Sequence, residues 1–335
     1  MKEHRFPYEW TLKDANFTKD KGTVFSCFAC GGGSTMGYKL AGFDVLGCNE
    51  IDPKMIEAYK ANHNPKYAYL EPIQTFKLRK DLPKALYDLD ILDGSPPCSN
   101  FSMAGNREKD WGKEKKFREG QSKQVLDTLF FDFIDLAKEL QPKVVVAENV
   151  EGLIQGNAKK YVIKIYEEFE KSGYYCQHWL LNASKMGVPQ NRKRVFFICL
   201  RKNLAKDFMH FKDMFTQTPK LNLNFKESQI AFGKIRIGKK IKGSESDMNL
   251  KLKENGFVKS TKKHKVHNTI TGNTRYLDEE NILTNSDEII RIGSFPSDYN
   301  FLKNKIQYLI GMSVCPVQMA NIASEIYKQW LSKLK

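Results

Sequence analysis

Over the first two hundred positions, apolar residues fall in short unbroken runs separated by stretches where they recur at helical spacing. Short runs bounded by Gly, Asn, Asp or Pro read as buried strands, and the periodic stretches as amphipathic helices. Val24 to Phe28, ending in glycines, predicts a first strand, with a helix from Thr35 to Leu40. Val45 to Cys48 predicts a second strand, closing on Asn49-Glu50. Pro53 then suits the first turn of a helix running to His63. Leu89 to Leu92 and the β-branched Lys143 to Ala147 predict two further strands, with helical periodicity at Leu126 to Leu140 and Tyr161 to Lys171. Tyr174 to Leu181 and Val195 to Leu200 complete the set. This order predicts an α/β fold built on a doubly wound, mostly parallel Rossmann-like sheet. Its ligand site is expected at the C-terminal ends of the strands.

The pattern changes after Leu200. From Arg201 to about Lys265 the chain is lysine-rich and has few long apolar runs. Lys234, Arg236, Lys239, Lys240 and Lys242 form one basic cluster, and Lys259, Lys262, Lys263 and Lys265 another. The segment reads either as a small separate domain or as a solvated insertion. Order resumes near Thr269, and Val317 to Leu334 predicts a closing helix. The chain thus divides into 1–200, 201–268 and 269–335. A second polar, basic segment, Arg107 to Gln124, is long for a plain connection, and such loops are usually functional or disordered.

The 335 residues suffice for one large α/β domain and a small one. Lys and Arg number 54 against 39 acidic residues, a formal charge of +15, which attracts polyanions such as nucleic acid. Charge alone fits a merely basic protein equally well. No stretch approaches the roughly 20 apolar residues of a membrane span, and Met1 to Trp10 lacks the apolar run of a secretory signal. The expectation is a cytoplasmic protein with no membrane partner. The 7 cysteines are odd in number and scattered, so they do not suggest a disulfide framework. Cys27 and Cys30 have CxxC spacing, but no second pair follows and no metal is expected.

Three places carry candidate chemistry. In Phe28-Ala29-Cys30-Gly31-Gly32-Gly33, glycines between a strand and a helix N-terminus let the backbone approach a ligand closely. Glu50, about 20 residues on, is placed to bond ribose hydroxyls. That spacing fits any nucleotide-like cofactor, NAD included, although neither G-x-G-x-x-G nor a P-loop is present. Next, Asp93-Gly94-Ser95-Pro96-Pro97-Cys98-Ser99 puts a cysteine on a proline-stiffened turn at the presumed rim. Cys98 reads as a thiolate nucleophile or as a buried structural cysteine. Last, Glu148-Asn149-Val150 ends the strand at Lys143 to Ala147. Parallel strands deliver their C-terminal ends to one rim, so Cys98 and Glu148 can converge on one pocket.

Pro96-Pro97-Cys98 and Glu148-Asn149-Val150 resemble the catalytic motifs of the cytosine-5 DNA methyltransferases, of bacterial or phage type. Gly187 to Arg194 resembles that family's Q-x-R-x-R motif, Ser26 to Gly37 its cofactor loop, and Asn49 to Asp52 its ribose motif. Glu288 to Tyr299 resembles its brace for the recognition region, and Ile310 to Val314 its final cofactor motif. The likeness breaks only at Arg201 to Lys265, where the family carries its variable target-recognition region. Three positions depart from the family pattern: Cys30 and Ser95 stand where glycine is usual, and Met312 where asparagine is usual.

The resemblance implies a methyltransferase fold with a small target-recognition domain. It assigns 1–200 to the catalytic and cofactor-binding domain, 201–268 to target recognition, and 269–335 to a return to the catalytic domain. It implies methyl transfer from S-adenosyl-L-methionine, leaving S-adenosyl-L-homocysteine, to carbon 5 of a flipped-out cytosine. Cys98 is then the covalent nucleophile, Glu148 acts at ring nitrogen 3, and Arg192 steadies the ring carbonyl and Glu148. Phe28, Ala29, Gly32, Gly33, Glu50, Ile51, Glu71, Pro96, Ser313 and Val314 are the expected cofactor contacts. Ser99, Ser102, Arg107, Arg194, Lys239, Lys240 and Lys242 are the expected DNA contacts. The implied partner is double-stranded DNA bound by a monomer near the nucleoid, and a cognate restriction endonuclease is a candidate partner. Amino-methyltransferases are disfavoured because Cys98 stands where they carry an aromatic after Pro-Pro. tRNA methylation is disfavoured by the lysine-rich insertion. An NAD oxidoreductase would leave Cys98, Glu148 and the arginines without work, and a DNA-binding module without catalysis would not need the Cys98–Glu148 pair.

Overall fold

The chain enters its sheet at β1 (Thr23–Cys27), where the backbone N–H of Thr23 donates to Asp90 Oδ2 at 2.7 Å. Lys143 Nζ reaches the other oxygen of Asp90 at 2.7 Å, so one carboxylate pins the entry edge of three strands. The computed structural model describes residues 4–97, 114–115, 124–125, 128–211, 217–238, 240–252 and 258–334. The sheet continues with β2 (Asp44–Glu50), β3 (Tyr67–Leu70), β4 (Ile91–Gly94), β5 (Val144–Val150), β6 (Tyr174–Asn182) and β7 (Lys193–Arg201). Its order is β3-β2-β1-β4-β5-β7-β6, parallel from β3 to β5, with β7 antiparallel to both of its neighbours. The expected α/β fold with a mostly parallel sheet is therefore what forms.

Alternation along the strands supplies both faces. Phe25, Leu92, Val145 and Phe197 point to one side, against Phe133 of α4 (Leu129–Leu140) and Ile165 and Phe169 of α5 (Lys159–Lys171). Val24, Ile91, Val146 and Phe196 point to the other, against Tyr38 of α1 (Gly33–Leu40) and Met319, Ile322 and Ile326 of α9 (Pro316–Gln329). A period of two on a sheet covered on both faces explains why these strands read as continuous apolar runs. Between α1 and α4 lie α2 (Pro53–His63) and the single turn α3 (Ile73–Phe76). α2 opens where the sequence places it, with Asp52 Oδ1 accepting from Lys54 N–H at 2.8 Å and Pro53 in its first turn.

The lysine-rich segment folds onto this body. Leu221 and Leu223 join the core beneath α9, and Phe232 and Ile235 pack with Met36, Met55, Ile270 and Ile290. Val258–Ser260 pairs in parallel with Arg275–Leu277, so strand pairing crosses position 268. α6 (Glu245–Leu252) lies within the segment. α7 (Ser286–Ile292) and α8 (Ile306–Met312) follow it and lead to α9. No described helix is long and apolar enough to cross a membrane.

Candidate active site

The ends of β1, β2, β4 and β5, with the loop after β1, build the site. β1 ends at Cys27, and the chain then turns through Phe28 and Cys30, both at positive φ (52° and 49°), before Gly32 (φ 83°) starts α1. Non-glycine residues held there are strained, and such strain clusters at ligand sites. Cys30, where the family pattern has glycine, holds a left-handed conformation that suits glycine. Gly32 and Gly33 cannot carry side chains: a Cβ on Gly32 would lie 2.3 Å from His63 Nε2, and one on Gly33 2.2 Å from the Val314 carbonyl.

Glu50 closes the loop from β2. Its carboxylate accepts from the backbone N–H of Cys30 at 2.7 Å, Ile51 at 2.8 Å and Asp52 at 2.9 Å. Burial pushes its pKa up, and these three donors oppose the rise. Beside it opens a cavity lined by Phe28, Glu50, Ile51 and Glu71 from the expected cofactor set. Cys30, Met55, Ile73, Ser95, Pro97, Leu129, Tyr308 and Met312 complete much of the wall and were not in that set. A largely apolar wall with a few polar groups, Asn49, Glu50, Asp52 and Glu71, suits an adenosine-like group. Glu71 lines this cavity, but its carboxylate is paired with Arg79 at 2.9 Å. Ala29, Gly32, Gly33 and Pro96, also expected as cofactor contacts, are not among the lining residues. Val314 packs behind Gly33, and Ser313 reaches the loop through its hydroxyl, 3.5 Å from Cys30 Sγ.

The second half of the site lies where β4 and β5 end side by side. Asn149 Nδ2 donates to the Pro96 carbonyl at 3.1 Å and ties the proline turn to β5. Cys98, Ser99, Ser102, Arg107 and Lys239 lie outside the described residues. Cys27 and Cys315 are fully buried, and burial raises both thiols, so neither is a ready nucleophile. Glu148 is 8% exposed, and its Oε1 meets Arg194 Nε at 3.0 Å. Burial, then the neighbouring charge of Arg192, lower the Arg194 guanidinium to about 10.

The Glu148 contact expected of Arg192 is made by Arg194, which was expected to support the pocket or the DNA backbone. Arg192 does not reach Glu148. Its guanidinium donates to the carbonyls of Ile270 at 3.2 Å, Gly311 at 3.1 Å and Ser313 at 2.9 Å. It precedes β7 in an irregular turn, so strand alternation does not aim it at the rim; Arg194, inside β7 opposite Val150, is so aimed. Of the basic cluster, Lys240 and Lys242 are exposed. Arg236 is half-buried instead, 2.9 Å from Glu288 and 3.4 Å from Asp278, and braces the inserted segment against α7.

Residues 22–285 match the family model of the C-5 cytosine-specific DNA methylases. The chain belongs to that family. It is 29% identical over 334 residues to the type II methyltransferase M1.HphI of Haemophilus parahaemolyticus, covering 91% of this chain and 87% of that protein. It is 34% identical over 181 residues to the type II methyltransferase M.FnuDI of Fusobacterium nucleatum, covering 54% of this chain but 47% of that protein. The fold matches a mutant of Spodoptera frugiperda DNMT2 with a TM-score of 0.61 at 19% identity, over 93% of this chain and all of the other.

Proposed function

We propose that the protein is a DNA (cytosine-5-)-methyltransferase that uses S-adenosyl-L-methionine and acts through Cys98. The observation that carries this reading is the Glu148–Arg194 pair at 3.0 Å, together with the tethered Pro96-Pro97 turn and the open cavity lined by Glu50. When bound, the cofactor supplies an electrophilic methyl group. Phe28 and Ile51 would sandwich its adenine, and Glu50 would exchange some of its backbone donors for ribose hydroxyls.

Carbon 5 of cytosine is a weak nucleophile. Attack by the Cys98 thiolate forms a sulfur–carbon 6 bond and moves an electron pair toward carbon 5 and ring nitrogen 3. Glu148 holds a proton at nitrogen 3 as charge grows there, and Arg194 fixes the carboxyl in place. Once carbon 5 carries the methyl group, loss of its proton to solvent breaks the sulfur–carbon bond and frees Cys98. The base is out of reach inside a duplex, so it must be flipped out. The basic segment Arg107 to Gln124 is assigned as its cover, and Ser99 and Ser102 are assigned to DNA contact. Lys239, Lys240 and Lys242 are assigned to phosphates. One chain carries both catalytic and recognition parts, which supports a monomer working on cytoplasmic DNA at the nucleoid. The type II names of the relatives support a cognate restriction endonuclease, to be sought in the neighbouring reading frames.

A duplex carrying 5-fluorocytosine tests the covalent step, because fluorine cannot leave as a cation. The expected result is a denaturation-resistant adduct that needs S-adenosyl-L-methionine, maps to the Cys98 peptide, and is lost in Cys98→Ser. An adduct on another cysteine, or full methylation by Cys98→Ser, overturns the reading.

A further inference from the structure

Asp93 is a buried acid for which the proposed reaction has no task. It is 1% exposed, one residue from the end of β4, in register with Ser26 on β1 and Val146 on β5. Three hydroxyls converge on it: Ser26 Oγ donates to Oδ2 at 2.6 Å, Ser34 Oγ to Oδ2 at 2.7 Å, and Tyr38 OH to Oδ1 at 3.2 Å. Ser26 opens the cofactor loop, while Ser34 and Tyr38 lie toward its far end, in the first turns of α1. Both ends of that loop therefore hang on one carboxylate. Past Asp93 the chain runs through Gly94 and Ser95 into Pro96, whose carbonyl is held by Asn149.

Resting on the reading of the site given above, we propose that Asp93 is a positioning residue for methyl transfer. Its carboxylate clamps both ends of the cofactor loop to the strand that carries the Pro96-Pro97-Cys98 turn. The clamp sets the spacing between methyl donor and target base. Hydrogen bonds to an ionised acceptor are shorter and stronger than neutral ones, so the charge stiffens the clamp.

The fold itself gains nothing from that charge. Burial raises the carboxyl to about 6; the three hydroxyls oppose the rise, and Glu148 adds to it. The titratable groups facing Asp93 are Cys27 on β1, Tyr38 on α1, Tyr59 on α2 and Glu148 on β5. A folded-state pKa above the ordinary 3.8 means that ionisation weakens the fold as pH rises from about 4 through about 6. An asparagine would fill the same space, keep hydroxyl partners and avoid that loss. A carboxylate kept here points to positioning of the reaction, not to stability.

The test compares the full chain with Asp93→Asn in three measurements: single-turnover methylation of a cytosine duplex, S-adenosyl-L-methionine affinity by calorimetry, and Tm at pH 8 and pH 5. The variant is expected to lose about 30-fold in methyl-transfer rate, the scale of a sub-ångström misplacement. Cofactor Kd should move by less than about 3-fold, and Tm should be equal or higher at pH 8, with the gap narrowing at pH 5. Ser34→Ala, which keeps the charge and removes one tie, should lose about 5-fold in rate. An unchanged rate in Asp93→Asn overturns the inference, and so does a rate loss matched by a lower Tm at pH 8 or by lost cofactor affinity. A wild-type chain that methylates no cytosine overturns the reading of the site, and this inference with it. An active wild type with an unaffected variant overturns the inference alone.

Discussion

At the scale of single residues, Arg192 and Arg194 have the same charge and are two positions apart, yet have opposite surroundings. Arg194 meets a carboxylate at the rim, whereas Arg192 ties three carbonyls from two later segments inside the fold. Arg194→Ala leaves Glu148 without its cation, and turnover should fall about 10²-fold or more, as it should in Glu148→Gln. Tm should move little in Glu148→Gln. Arg192→Ala removes three charge-assisted bonds at a buried site and should destabilise the protein by about 3 kcal/mol. Turnover assays beside thermal melts separate the two; a large Tm loss in Arg194→Ala with little in Arg192→Ala would reverse the assignment. The motif Gln190-Asn191-Arg192-Lys193-Arg194 is visible in the sequence. Which arginine faces Glu148 is not, because that depends on where β7 begins.

At the scale of elements, the strands that carry chemistry are the ones easiest to read. β1, β4 and β5 are covered on both faces and appear as apolar runs ending in Phe28, Asp93 and Glu148. β3 is harder: it is an edge strand of mostly half-exposed residues, whose run Tyr67-Ala68-Tyr69-Leu70 is only four residues long. The inserted segment also hides its organisation. Its lysines suggest a solvated unit, yet Arg236 is spent on Glu288 and Asp278, and Lys263 is paired with Glu280. Inside it, His267 is fully buried between Phe232 and Tyr276, ring centroids 4.7 and 4.9 Å away. Burial lowers its pKa to about 4, below the ordinary 6.5. A lowered folded-state pKa gives stability that is present above 6.5 and lost as pH falls toward 4, about 3 kcal/mol in all. Melts from pH 7.5 to pH 4 should show that loss, and His267→Phe should flatten it. An unchanged slope in the variant would assign the acid sensitivity to other groups, such as His63, which burial lowers to about 3.

At the scale of the whole molecule, a formal charge of +15 sits on a body whose described arginines are largely engaged in pairs or carbonyl contacts. Phosphate binding then falls mainly to exposed lysines. Affinity for duplex DNA should drop steeply with salt as counterions are released. If Lys240 and Lys242 each neutralise a phosphate, replacing both with Gln should lower the slope of log affinity against log salt by about 2. A slope unchanged in the double variant would place the phosphate surface elsewhere.

The sequence by itself determined the strand–helix order, the Gly-rich loop with Glu50, and the two strand ends bearing Pro96-Pro97-Cys98 and Glu148-Asn149. These are local matters of apolar periodicity and turn chemistry, set by residues near one another in the chain. Only the folded chain decides the pairing of Arg194 rather than Arg192 with Glu148, the pairing of Arg236 with Glu288 and Asp278, and the gathering of Ser26, Ser34 and Tyr38 on Asp93. Each joins side chains from distant segments. For a charged group, what matters is whether those segments bring a partner within hydrogen-bond distance before water is excluded.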